Sequence, residues 1–227
     1  MPRRTPLPPE LGRRPFTVAE AHELGIGEGR LRHSDLSRPA RGVRQAGTDQ
    51  HRTDLAELAE ATRLVLPVGS AFSHLTAART LGLPVPSRWE PTEPLHVMTV
   101  TAAPLIRRAG CEGHRGLESR RVVRRKGLRV VSPEDTWCDL AATGCLDLDE
   151  LNVLGDDVVH YRRGISLARL TSAISSRRGG RGSRLMAEAL PQLRPRNNSP
   201  METRASVMVH PRNQGTVSRL RRLLGLS

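Results

Sequence analysis

Apolar residues three apart at Val18, Ala21 and Leu24 give the stretch Thr17–Gly25 one apolar stripe, the spacing of a short helix. Thr17 is placed to cap it, and Gly25 stands where a left-handed residue would end it. A second short helix fits Glu28 to Leu36, with Leu31 and Leu36 inward and Arg30, Arg32 and His33 outward. Pro39 stops that helix, and Ala40 to Ala46 reads as a small hairpin turning at Gly42. Helix, tight turn, helix and basic wing is the outline of a winged helix-turn-helix, which makes residues 15–50 a candidate DNA-reading module. A helical hairpin that only packs on a partner would show the same spacing.

Downstream, Asp54 to Leu66 has the pattern of an amphipathic helix. Asp54 and Glu57 form a capping-box pair, and Leu55, Leu58, Thr62 and Val65 line one face. Ser73 is placed to cap another helix, which runs to Leu81 and is closed by Gly82 and Pro84. Leu95 to Thr101 alternates and is β-branched, the signature of a strand. Arg121–Arg124 and Leu128–Val131 read as two short strands joined at Lys126-Gly127, with a further strand around Gly113-His114-Arg115. Together these predict a small antiparallel sheet of three or four strands.

From Ser132 the pattern becomes helical. Ser132 supplies an N-cap, Pro133 the first helical position, and Glu134 and Asp135 acids for the first turn. Trp137, Leu140 and Ala141 face inward and Gly144 terminates. A second helix spans Leu148 to Val159, burying Leu148, Leu151, Leu154 and Val158 with its acids on the other side. Ser166 opens a third, and Ser183 to Leu190 forms a fourth. The fold class is therefore α+β. Residues 1–14 are expected as a disordered basic arm, 15–50 as the winged module, 51–190 as an α+β middle domain, and 191–227 as linker and tail.

Composition narrows the class. Only 37% of the 227 residues are hydrophobic and five are aromatic, enough for a modest core. No run of 18 apolar residues exists, so no membrane span is expected, and the basic start lacks the apolar stretch of a secretory signal. Three cysteines, Cys111, Cys138 and Cys145, argue against a disulfide framework and for a reducing cytoplasm.

The net charge is +13 and unevenly spread. Residues 101–130 hold nine cations against two acids, residues 131–161 none against eight, and residues 162–227 fourteen against two. All but one of the 36 cations are arginine, the better ligand for phosphates and base edges, which suggests nucleic acid as partner. Arginine enrichment fits a GC-rich genome equally well. The segment Ser175–Ser183, with three arginines and three glycines in the run, is either a phosphate-binding loop or a solvated linker.

Catalytic chemistry finds little footing. Cys111-x-x-His114 with Cys138 and Cys145 does not have the ligand spacing of a closed zinc site, and Cys138 sits where a helix core residue would. There is no nucleophile elbow, and the glycines of residues 25–29 lack the strand that precedes a phosphate-binding fingerprint. His74 and His114 are expected to be structural.

The strings TVAEAHELGI, RPARGV, FSHLTAARTLGLPVP, LHVMTV, GHRG, GLRVVSPEDTWCDLA, LDELNVLGDDVV and SPMETR occur in one order along residues 16–204. In that order they resemble actinobacterial proteins whose front part is similar to AbiEi-type antitoxins of type IV toxin–antitoxin systems. Many of those proteins end in a Vsr-like endonuclease domain of the PD-(D/E)XK fold. The resemblance implies a DNA-binding winged helix, autoregulation and a cognate toxin as partner. It makes residues 16–47 the DNA-binding part and Arg41 to Val43 the wing, and within that part Arg30, Arg32, His33, Arg38, Arg41 and Arg44 are the candidate DNA-binding set. Arg44 stands where the family commonly has an aromatic residue. It also carries the first nuclease carboxylate onto Glu202. Only 25 residues follow Glu202 and none is acidic, so the clustered carboxylates that would hold Mg²⁺ are missing. Ser199-Pro200-Met201-Glu202 is itself a capping box. The expectation is a truncated nuclease-like fragment without activity, no cofactor, and a basic amphipathic tail around Leu220, Leu223 and Leu224.

Overall fold

Thr17 does what its position predicts: its hydroxyl accepts the amide of Glu20 at 3.0 Å and opens helix α1 (Val18–Glu23). The computed structural model describes residues 6–47, 54–160, 164–177 and 179–194. These contain eight helices and two small sheets, a mixed α+β architecture. Contacts divide the chain into two compact units, residues 1–81 with 87–132 and residues 82–86 with 133–227.

In the first unit, strand β1 (Phe16–Thr17) leads into α1, and Gly25 at φ 74° reverses the chain into helix α2 (Glu28–Leu31). Strands β2 (Leu36–Ser37) and β3 (Val43–Ala46) follow as an antiparallel hairpin, and β1 pairs on the other edge of β3. Leu11, Phe16, Ala21, Ile26, Leu31 and Leu36 form the core beneath them.

Two expectations change here. The second helix ends at Leu31 rather than Leu36, because Ser34 and Asp35 favour a turn and Leu36 is drawn into β2, opposite Ala46. Residues 6–14 are no disordered arm: Leu11 is fully buried in the core and Leu7 packs beside it. Two leucines among prolines and arginines suffice to anchor the segment, whereas composition registers only the latter. Residues 1–5 lie outside the described residues.

The same unit carries a five-stranded sheet in the order β6-β5-β4-β8-β7, from β4 (Ala71–Phe72), β5 (Leu95–Thr99), β6 (Cys111–Arg115), β7 (Val122–Arg125) and β8 (Leu128–Val131). Lys126 at φ 48° and Gly127 at φ 76° make the tight turn joining β7 to β8. The expected all-antiparallel sheet is corrected to a mixed one: β4 lies parallel to β8 and β5 parallel to β6. A two-residue strand such as β4 has no periodicity to read, and it is the strand that joins the two halves. Helices α3 (Leu55–Arg63), capped by Asp54 on the amide of Ala56, and α4 (His74–Leu81) pack against β8. On α3 the fully buried residues are Ala59, Ala61 and Thr62, while the expected Leu55, Leu58 and Val65 are half-buried.

The second unit is helical: α5 (Pro133–Thr143), α6 (Leu148–Val158), α7 (Leu167–Ser175) and α8 (Ser183–Ala189). Asp147 and Glu150 close a reciprocal capping box on α6, and Ser166 caps α7 through the amide of Arg169. Helix α5 is buried from Pro133 to Ala141, acids included. Its Glu134 accepts from Arg169 at 2.8 Å, and Asp135 from Arg177 at 2.8 Å. The acids of α6 do not all face outward as expected: Asp156 is buried and accepts the amide of Arg194.

Cys138 is buried, as expected of a core thiol. No helix among the described residues is long and apolar enough to cross a membrane. Glu202 and the tail leucines fall outside the described residues.

Candidate functional site

The six candidate DNA-binding residues lie on α2, the turn after it and the β2–β3 hairpin, and they divide into two groups. Arg30 sets both terminal nitrogens on the carboxylate of Asp35, each at 2.9 Å, with only 7% of its side chain exposed. His33 Nδ1 lies 2.7 Å from the same carboxylate. Arg44 donates from Nε to the carbonyl of Leu31 at 2.8 Å and from Nη1 to that of Val43 at 2.9 Å. Burial pulls its guanidinium below the usual arginine range, with the charge of Arg38 adding to the effect. Leu31 is the last residue of α2, so Arg44 ties β3 to the carbonyl end of that helix, where a cation is electrostatically favoured. A guanidinium thereby supplies both packing and a polar link between β3 and α2.

Arg32, Arg38 and Arg41 form the second group. Arg32 is 72% exposed and approaches Glu28 at 3.5 Å, one turn away. Arg38 and Arg41 are exposed on the segment joining β2 to β3. That segment is braced from below: Arg108 donates to the carbonyl of Arg41 at 2.7 Å and to that of Val65 at 3.2 Å. Three exposed arginines thus sit on a frame held by two inward ones.

The basic loop Ser175–Ser183 belongs to the fold of the second unit. Arg177 reaches Asp135 at 2.8 Å and Asp139 at 3.6 Å and is almost wholly buried. Gly182, at φ 78°, leaves no room for a side chain, since a Cβ there would meet the carbonyl oxygen of Ala141 at 2.6 Å. A solvated linker does not describe this loop, because Arg177 is held in buried ion pairs and Gly182 packs against Ala141. Arg178 lies outside the described residues.

Pairing of β4, β5 and β6 assembles a second constellation. The amide of Ser73 donates to the carbonyl of His96 at 3.0 Å, and the amide of His96 to Thr76 Oγ1 at 2.9 Å, which fixes the start of α4 against β5. His96 stands opposite Glu112, and Met98 opposite His114, so His96, Glu112 and His114 share one face of the sheet. His74 Nδ1 lies 3.0 Å from Ser73 Oγ, and its ring stacks on His114 with centroids 3.8 Å apart. His96 Nδ1 and His114 Nε2 are 3.0 Å apart, one donating and the other accepting. Glu112 places its two carboxylate oxygens 3.7 Å from His96 Nδ1 and 3.8 Å from His114 Nε2.

Burial, reinforced by the neighbouring His114, His96 and Arg120, pushes His74 down to about 3. Burial also lowers His96, against the opposing pull of Glu112. Gly113 allows the chain to cross closely here, because a Cβ at that position would stand 2.3 Å from the carbonyl oxygen of Ile106. Cys111 and His114, three apart on one strand, point to opposite faces, so the pair weighed from sequence is not a ligand pair.

His96 carried no signal in the sequence, and the spacings from His74 to His96 and from His96 to His114 match no local motif. Only strand pairing reveals the group. Neither the family models nor the curated proteins contain a match to this chain.

Proposed function

We propose that this protein is a DNA-binding regulator of the antitoxin-like kind, acting through a winged helix-turn-helix made of α1, α2 and the β2–β3 hairpin, and working in a reducing cytoplasm. The observation that carries this reading is the division of its arginines. Arg30 and Arg44 hold the frame, leaving Arg32, Arg38 and Arg41 exposed on the turn after α2 and on the hairpin. Arginines on the wing and at the end of the second helix are suited to phosphate oxygens and to guanine edges. Helix α2 has only four residues, so base contacts fall to its last turn and to the hairpin rather than to a long recognition helix.

Neutralising phosphates releases counterions, so affinity must fall with salt. The test is fluorescence anisotropy with the DNA upstream of the protein's own gene and a scrambled duplex, at two salt concentrations. Preferential binding to the upstream DNA, weakened by salt and by Arg32→Ala, supports the proposal. Equal affinity for both duplexes, or specific binding indifferent to salt and to all three arginines, refutes it. A nucleotidyltransferase-like toxin is the partner this reading implies.

The competing reading, a degenerate nuclease relative that holds DNA without preference, predicts the equal-affinity result. Plasmid cleavage with Mg²⁺ that disappears in Glu202→Gln would show instead that catalysis survives.

A further inference from the structure

We propose that His74, His96 and His114 form a binding site for one divalent transition-metal ion of the zinc class, with Glu112 able to complete the set. Among the described residues, one ligand atom from each histidine lies within 4.8 Å of the others. They come from three different elements, α4, β5 and β6, so a shared ion would clamp the sheet edge to the helix that crosses it.

The donor set selects the ion. Imidazole nitrogen suits zinc, nickel, cobalt and copper, whereas magnesium and calcium take oxygen. A tetrahedral ion about 2.1 Å from each nitrogen places ligand atoms roughly 3.4 Å apart. His96 Nδ1 and His114 Nε2, at 3.0 Å, need to part only slightly, and the Glu112 oxygens at 3.7 and 3.8 Å need to approach slightly.

Stacking sets the one larger adjustment. A metal lies in the plane of an imidazole, so the His74 and His114 rings, 3.8 Å apart at 26°, must splay to share it. His96, His114 and Glu112 are partly exposed, which leaves room for that rotation on the outer side, while buried His74 forms the fixed wall.

Two further features prepare His74. Ser73 Oγ at Nδ1 leaves Nε2 as the ligating atom, the arrangement by which an outer partner fixes a ligand's tautomer. His74 also sits at φ 49°, an uncommon conformation for a side-chain-bearing residue, and that turn of the backbone brings its ring onto His114.

The test uses the full chain, stripped with chelator and dialysed. Calorimetry with Zn²⁺ should show one equivalent bound, and Co²⁺ should give the visible absorption of a tetrahedral nitrogen-ligated site. His96→Gln and His114→Gln should each weaken Zn²⁺ binding at least tenfold, while His22→Gln and His33→Gln leave it unchanged. A variant that fails to fold is bypassed by imidazole NMR of the unaltered chain. Zn²⁺ should then shift the ring signals of His74, His96 and His114 before any other. Absence of stoichiometric binding by Zn²⁺, Co²⁺ and Ni²⁺, or first shifts at any of the other five histidines, overturns the proposal.

Discussion

Replacing Arg30 by alanine separates a framework arginine from a reading arginine. Its side chain is 7% exposed, Asp35 is 21% exposed, and both guanidinium contacts are 2.9 Å. Truncating one partner of a buried ion pair costs about 3–5 kcal/mol, because the other charge is stranded. Asp35 keeps some solvent and retains His33 at 2.7 Å, so the loss should fall below that range, at about 2–3 kcal/mol. Arg32→Ala removes only an exposed contact to Glu28 at 3.5 Å and should change stability by no more than about 0.5 kcal/mol.

Urea denaturation followed by circular dichroism measures both stabilities, and anisotropy on folded protein measures DNA affinity. Arg30→Ala should lower the urea midpoint and affect binding only as far as it unfolds the chain. Arg32→Ala should keep the midpoint and reduce the salt slope of binding by about one. An Arg30→Ala protein as stable as the parent would refute the framework role. An Arg32→Ala protein that loses stability while its salt slope stays unchanged would refute the reading role.

Two further outcomes follow from buried charge. His74 binds its proton only near pH 3 when folded but near 6.5 when unfolded, so between those values the unfolded chain holds more protons and stability falls as pH drops. In chelator, the parent should lose about 2 kcal/mol more than His74→Asn between pH 7 and pH 5, since asparagine tolerates the left-handed backbone and does not titrate. Identical pH slopes in urea titrations would contradict this. In the second unit, Arg177→Met removes the cation 2.8 Å from Asp135 and 3.6 Å from Asp139, both nearly inaccessible, and should cost about 3 kcal/mol. Thermal denaturation with a midpoint equal to the parent's would show that the ion-pair cluster contributes nothing.

How much was legible depends on the distance in sequence over which each feature is decided. Thr17, Asp54 and Ser166 cap helices because a side-chain oxygen reaches an amide two or three residues away. Lys126-Gly127 turns a hairpin because two consecutive residues must take positive φ. Burial of Trp137, Leu140 and Ala141 follows from their spacing along α5, whereas burial of the helix's acids does not. These are local decisions, and residues alone determine them.

The rest required the assembled chain. Leu11 and Leu36 are placed by the apolar core they join, which outweighs a Pro/Arg-rich segment and a helical spacing. The mixed sheet depends on β4, two residues long, finding partners on both sides. For the candidate DNA edge, sequence supplied a set of cations but not their division, because Asp35 and the Leu31 carbonyl decide which guanidinium groups turn inward. The histidine group was the least legible of all. His74, His96 and His114 share no motif, and only the parallel register of β5 with β6 and the anchoring of Ser73 on His96 bring their nitrogens together.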